Sequence, residues 1–145
     1  MIKTIKSATD AEKKSLYNIL MVGKTTVGEF GYRDDLLSHM ISIWFDDRWV
    51  GGFGFQGDSN NLVGGFIPEI QGTGLWIEVW PDMISWAHKT YQGDITMNCE
   101  DEKVADLMLR MGAINKIYVN IDSFQVTFNK ETTDSFLKNN PNLGK

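Results

Sequence analysis

The alternation of apolar and polar positions predicts a chain of mixed α+β structure. Period-two alternation, or a short apolar run between turn residues, predicts strands. Seven segments have this pattern: 2–6, 40–45, 48–55, 61–67, 94–98, 116–121 and 124–129. Apolar residues at spacings of three and four predict helices after Thr9, over 81–91 and over 101–111. The order is strand, helix, three antiparallel strands, helix, strand, helix and two strands, which predicts helices packed on a central sheet.

Boundary residues support two of these helices. Thr9 and Glu12 have the spacing of a capping box, in which each side chain accepts from the other residue's backbone N–H. Asp101 lies at the start of the third helix, where a negative charge suits the helix dipole, and Gly112 follows its end as the expected C′ residue. Residues 23–35 are polar and rich in glycine, so we expect a loop or a broken helix there.

Composition narrows the classes of function. The 145 residues suit one domain, which we place at 1–130, with 131–145 as a C-terminal tail. The net charge of −5 argues against non-specific binding to nucleic acid, and no apolar run reaches the length of a membrane span. Two histidines and the single Cys99 do not form a metal-binding pattern. A lone cysteine excludes an internal disulfide and suits the cytoplasm.

A glycine loop follows the strand predicted at 61–67. Gln71-Gly72-Thr73-Gly74 can turn the chain sharply and direct several backbone N–H groups to one point. Such a loop binds phosphate when a helix begins directly after it. Glycines at this spacing also occur in ordinary turns, so the elements on either side decide the interpretation.

Three segments, together with the order of elements, resemble the GNAT superfamily of acetyl-CoA-dependent N-acyltransferases over about residues 1–130. The segment Phe45-Asp46-Asp47-Arg48-Trp49-Val50-Gly51-Gly52 is similar to the second hairpin of that family. The segment Pro68-Glu69-Ile70-Gln71-Gly72-Thr73-Gly74-Leu75-Trp76 resembles its pyrophosphate-binding motif. Residues 101–113 resemble its late helix, which ends in a glycine.

The resemblance implies a mixed sheet of six to seven strands with helices on both faces. It also implies an acetyl-CoA site and direct transfer of the acetyl group to an amine of a small molecule or protein, by a monomer or homodimer. The residues that match the family's coenzyme site are Phe66, Ile67, Gln71, Gly72, Thr73, Gly74, Leu75 and Trp76. In the family a backbone N–H on the fourth strand stabilises the oxyanion, and the matching residue here is Phe66 or Ile67.

The chain departs from the family pattern at four positions. Trp76 stands where the motif has Gly or Ala, and Pro81 falls inside the expected coenzyme-binding helix. Met108 replaces the tyrosine that often acts as general acid, and Ala113 replaces the aromatic residue after the helix glycine.

A second interpretation accounts for the same residues. Residues 75–80 alternate and have high strand propensity, which places Trp76, Glu78 and Trp80 on one face and makes Pro81 the first residue of a helix. This interpretation resembles small GNAT-like proteins of tailed phages that lack acyltransferase residues. It implies an inactive virion component or a binder of a host protein, in the virion or the host cytoplasm.

Three residues are the candidates for acid–base chemistry. Glu69, beside the loop, and Glu78, between two tryptophans, are the candidate bases, and Tyr118 is the candidate acid. The alternative for each glutamate is a solvated surface position, and for Tyr118 it is packing.

We expect structural roles for the other reactive side chains. His39 and His88 are placed on element surfaces, Cys99 in a structural position and Tyr91 in packing. Five tryptophans either pack in the protein or line a pocket or an interface. They are Trp44, Trp49, Trp76, Trp80 and Trp86.

Overall fold

The computed structural model describes residues 2–21, 37–57, 59–70, 73–99, 101–120 and 123–143. The chain forms two compact units. The first comprises Met1–Ser59 and Val63–Thr73, and the second comprises Asn60–Leu62 and Gly74–Lys145. The loop or broken helix predicted at 23–35 lies outside the described residues.

A four-stranded sheet and a helix make up most of the first unit. The elements are β1 (Lys3–Ser7), α1 (Asp10–Met21), β2 (Leu37–Phe45), β3 (Arg48–Gln56) and β4 (Leu62–Phe66). The strands lie in the order β1-β2-β3-β4, and β2 pairs antiparallel with both β1 and β3. Leu16 and Met40 are buried together, and partly buried apolar side chains pack against them.

The capping box forms as predicted at the start of α1. The Thr9 N–H donates to Glu12 Oε1 over 3.0 Å, and the Glu12 N–H donates to Thr9 Oγ1 over 3.2 Å. Glu12 Oε1 also accepts from the hydroxyl of Ser42 on β2, which in turn accepts from Trp49 Nε1 on β3. One carboxylate therefore joins the helix cap to the paired strands β2 and β3.

Three helices and a three-stranded sheet make up most of the second unit, among the residues that can be described. The elements are α2 (Leu75–Thr90), β5 (Ile95–Cys99), α3 (Glu102–Arg110), β6 (Asn115–Asn120), β7 (Ser123–Phe128) and α4 (Lys130–Asn139). The strands lie in the order β5-β7-β6, and both pairs are antiparallel. A single parallel bridge joins Asn61 to Thr96 on β5, where the Thr96 N–H donates to the Asn60 carbonyl over 3.0 Å.

The predicted mixed α+β fold is confirmed, and the seven predicted strands are all present. The sequence predicted one central sheet, whereas the seven strands form a four-stranded sheet and a three-stranded sheet. Of the helices within the described ranges, none is both long and apolar enough to cross a membrane.

The strand predicted as one alternative for residues 75–80 is wrong, because α2 begins at Leu75. Val79, Trp80 and Ile84 are buried at helical spacing along α2. Burial of this stripe outweighs the strand propensity of the aromatic residues, since propensity is a weak preference that packing overrides.

The residues predicted as a C-terminal tail include the helix α4. Asn129 caps it, with its side-chain oxygen accepting from the Thr132 N–H over 2.7 Å, and Thr133 is buried. The end of this segment is therefore held by capping and packing as far as Asn139. The placement of one domain at 1–130 stays a prediction.

Candidate functional site

The second half of the glycine loop leads directly into α2. Gly74 is the N-cap residue and has the left-handed backbone angles φ 80° and ψ 4°, which favour glycine. The hydroxyl of Thr73 donates to the Ile70 carbonyl over 2.6 Å and so closes the preceding turn. Gln71 and Gly72, two of the predicted coenzyme contacts, lie outside the described residues.

The first turn of α2 has the properties of an anion site. Its N-cap residue has no side chain to accept from the first backbone N–H groups, and the Ile77 N–H donates to the Gly74 carbonyl over 3.1 Å. Helix geometry directs the N–H groups of Leu75 and Trp76 beyond the amino end, where the helix dipole is positive. This arrangement suits a phosphate group bound through backbone amides.

An aromatic stack anchors this end of α2 within the second unit. The rings of Trp76 and Trp80 meet edge to face, with centroids 6.2 Å apart. Trp80 also packs on Phe128 of β7, with centroids 5.2 Å apart, and is only 1% exposed. Residues four apart share one face of a helix, so the spacing of Trp76 and Trp80 is compatible with this contact. The same two positions also share a face in a strand, so the spacing alone does not distinguish the two structures.

Pro81 lies inside α2, as the coenzyme-loop interpretation requires. A proline has no N–H, so the Ile77 carbonyl receives no helical hydrogen bond from position 81. The backbone ladder is therefore interrupted close to the amino end of α2.

The backbone N–H groups of the two predicted oxyanion donors, Phe66 and Ile67, point in different directions. The Ile67 N–H donates to the Val50 carbonyl over 2.9 Å and is used in strand pairing. Because successive N–H groups of a strand point to opposite edges, the Phe66 N–H faces away from β3. The approach of β3 to β4 is close, since a Cβ at Gly51 would overlap the Gly65 carbonyl oxygen.

The two candidate bases are both exposed. Glu69 lies in the 3₁₀ turn Pro68–Ile70, and its Oε2 is 3.9 Å from Nη2 of Arg48. Glu78 is exposed on α2. The prediction that Trp76 and Trp80 flank Glu78 on one face is wrong, because each helical position rotates by about 100° and Glu78 points to another side.

The candidate acid is also exposed. Tyr118 on β6 is 63% exposed, and its ring centroid lies 5.7 Å from that of Phe124 on β7. Met108, which matches the family's acid position, is buried on α3. Tyr91, at the carboxyl end of α2, is exposed.

The remaining reactive side chains have different environments. His88 is buried on α2, so the predicted surface position is wrong, and its Nε2 lies 2.9 Å from Oγ1 of Thr133 on α4. Burial lowers the pKa of His88, while burial raises the pKa of the Cys99 thiol. His39 is exposed on β2.

Across the described parts of the chain, no three His, Cys, Asp or Glu side chains are grouped to hold a metal ion.

Solved structures with a similar fold include N-acetyltransferases and an N-acyltransferase. A variant of the SpeG spermidine N-acetyltransferase of Vibrio cholerae matches with a TM-score of 0.67 at 10% identity, covering 95% of this chain and 98% of that one. An acyl-CoA N-acyltransferase from Pseudomonas aeruginosa matches with a TM-score of 0.60 at 13% identity, covering 88% and 99%.

A third match holds a bisubstrate analogue. It is Naa50 of Arabidopsis thaliana in complex with the bisubstrate analogue CoA-Ac-MVNAL, with a TM-score of 0.57 at 14% identity, covering 88% of this chain and 97% of that one. No family profile and no curated protein sequence matches the chain. At these identities the likeness establishes the fold, so the predicted GNAT fold is confirmed.

Proposed function

We propose that this chain of GNAT fold is an N-acetyltransferase that uses acetyl-CoA and acetylates an amine. The observation that carries the proposal is the start of α2 at Leu75, directly after the left-handed Gly74. A strand at this position would have left the loop as an ordinary turn. A helix places a row of amide donors at the position that matches the coenzyme motif of the family.

The residues present suit the coenzyme. Gly74 supplies a left-handed N-cap without a side chain, and an added Cβ there would meet no atom within 4 Å. The N–H groups of Leu75 and Trp76 are the proposed pyrophosphate donors, together with the predicted contacts Gln71, Gly72 and Thr73. Trp76 is larger than the residue in the family motif, but its ring packs against Trp80.

The proposed chemistry divides among backbone and carboxylate groups. Acetyl-CoA supplies an activated thioester, whose C–S bond breaks as the amine nitrogen forms a bond to the acetyl carbon. The Phe66 N–H, directed away from β3, is the proposed donor to the developing oxyanion. Glu69 or Glu78 takes the amine proton, directly or through water, and Tyr118 is the proposed source of the proton for the departing thiolate.

Net charge and the similar structures support a proposal for the class of acceptor. The net charge of −5 favours a cationic amine, because opposite charge raises the local concentration of a ligand. One similar structure is named for spermidine, and another holds the bisubstrate analogue CoA-Ac-MVNAL. We therefore propose a polyamine or a peptide amine as acceptor, and a cytoplasmic location that suits the lone cysteine.

Calorimetry with acetyl-CoA tests the coenzyme site. We expect binding with a dissociation constant in the micromolar range, and Gly74→Val weakens it about tenfold or more because a branched residue resists the left-handed backbone. Gly93→Ala, at the opposite end of α2, is the control and retains the affinity of the original chain. Absence of any binding heat at high micromolar acetyl-CoA would contradict the proposal.

A second candidate function is favoured by the acid position. Met108 is buried where the family has a tyrosine, and a thioether cannot donate a proton. The alternative is therefore a GNAT-fold protein without catalysis that binds another protein, for example as a virion component or a ligand of a host protein. An assay of free thiol release with acetyl-CoA and spermidine separates the two, since only the enzyme exceeds the uncatalysed rate.

A further inference from the structure

We propose that Trp80 is a positioning residue for the coenzyme site, because the stack of Trp76, Trp80 and Phe128 fixes the amino-terminal turn of α2. This inference rests on the proposed function. Trp80 does not touch the coenzyme in this proposal. It acts through Trp76 and the backbone amides of the first turn.

Two contacts tie the first turn of α2 to the sheet of the second unit. Trp76 is the second residue of the helix and meets Trp80 edge to face at 6.2 Å. Trp80 continues the chain of contacts to Phe128 of β7 at 5.2 Å, and Phe128 is fully buried. These contacts therefore fix the first turn of α2 relative to β7, a paired strand that provides a rigid support.

Pro81 explains why such an anchor is needed. Hydrogen bonds between successive turns ordinarily hold the first turn of a helix to the rest. Pro81 cannot donate to the Ile77 carbonyl, so one of the bonds that cross this point is missing. The first turn also has no side-chain cap at Gly74. Side-chain packing must then supply the order that the backbone does not.

The buried indole of Trp80 supports a role in addition to filling space. Its Nε1 has no hydrogen-bond partner within the described structure. A buried N–H without an acceptor destabilises the fold, so an apolar residue would fill the site at lower cost. The indole supplies enough ring area to contact Trp76 and Phe128 at once.

The test compares Trp80→Phe with Trp44→Phe. The smaller ring loses the contact with Trp76, and since an aromatic pair contributes about 0.5–1.5 kcal/mol, acetyl-CoA binding weakens about two- to tenfold. Trp44 is the matched control, because its Nε1 is also buried without a partner but lies on β2 in the first unit. Trp44→Phe leaves the affinity unchanged within about twofold. Equal losses in both variants would overturn the proposal.

A double variant distinguishes positioning from general loss of structure. Pro81→Ala restores the missing N–H, so the first turn depends less on the stack. We expect Trp80→Phe/Pro81→Ala to recover most of the affinity that Trp80→Phe loses, which is a non-additive result. Additive effects of the two substitutions would contradict the inference.

Hydrogen exchange tests the same inference without ligand. In Trp80→Phe the amides at 78–80 exchange faster, while those at 86–90 keep their protection, and circular dichroism remains that of the original chain. Unchanged exchange at 78–80 overturns the inference. If the original chain binds no acetyl-CoA but the exchange result holds, the proposed function fails while the role of Trp80 in ordering α2 stands.

Discussion

The hydroxyl of Ser42 forms hydrogen bonds with two other side chains, Glu12 and Trp49. It is fully buried, donates to Glu12 Oε1 over 2.9 Å and accepts from Trp49 Nε1 over 3.0 Å. Ser42→Ala removes both bonds and leaves the partly buried Nε1–H of Trp49 without this acceptor. Such a loss costs about 1–3 kcal/mol, so we expect the free energy of unfolding to fall by that amount.

Urea denaturation of Ser42→Ala and Ser15→Ala measures this difference. Ser15 is exposed, and its hydroxyl donates to the Ala11 carbonyl of its own helix. We expect Ser15→Ala to change the free energy of unfolding by less than about 0.5 kcal/mol. Similar values for both variants would mean that the Ser42 network adds nothing beyond local helix bonding.

Individual site residues differed in how well the sequence predicted them. The Thr9–Glu12 bonds follow from a spacing of three residues, so the prediction needed no tertiary information. The face on which Glu78 lies depends on whether residues 75–80 form a strand or a helix, and the strand alternative put it beside Trp76 and Trp80, which α2 contradicts. His88 is buried in contact with Thr133, which is distant in sequence, so no local pattern indicated its burial.

Among the helices, too, local signals were predictable from the sequence, whereas packing against distant elements was not. Gly112 follows α3 as predicted, and Asp101, predicted in its first turn, is the N-cap residue; both signals are local. α2 contains a proline and a strand-like run, so its identity depends on the burial of Trp80 against Phe128 from another element. α4 has low apolar content, and it is held in part by Asn129 and by contacts that the sequence alone does not reveal.

Gly112 couples the end of α3 to α4. It has φ 107°, and a Cβ added there would lie 3.1 Å from Cβ of Phe136 on α4. Gly74 also has a positive φ, of 80°, but an added Cβ would meet nothing within 4 Å. Strain in the left-handed region costs about 1–2 kcal/mol at either position. We expect Gly112→Ala to cost more than Gly74→Ala because it also displaces Phe136.

The midpoints and slopes of denaturant unfolding give the free-energy costs of Gly112→Ala and Gly74→Ala. Phe136→Ala in the background of Gly112→Ala provides the control, since removing the ring relieves the contact but not the backbone strain. The two substitutions should then be less than additive. Equal costs for Gly112→Ala and Gly74→Ala would show that α4 yields freely to the added methyl group.

The stability of the folded chain should depend on pH through His88. Burial lowers its pKa from 6.5, with a further lowering from Lys130, while Asp134 and Asp94 oppose the shift. Between the folded pKa and 6.5 the unfolded chain binds a proton that the folded chain does not. The contribution of His88 is therefore fully present above pH 6.5 and is lost as the pH falls, with a limiting slope of about 1.4 kcal/mol per pH unit.

Comparison of variants isolates this contribution from the carboxylates that titrate at lower pH. His88→Gln keeps a polar partner for Thr133 but cannot take up a proton, so the free energy of unfolding should decline less between pH 7 and pH 5.5 than in the original chain. His39→Asn, at an exposed position on β2, should retain the original decline. If His88→Gln and the original chain have parallel curves, the imidazole of His88 gains a proton as readily when folded as when unfolded. The contact with Thr133 would then persist on protonation, because an imidazolium can still donate to the hydroxyl oxygen.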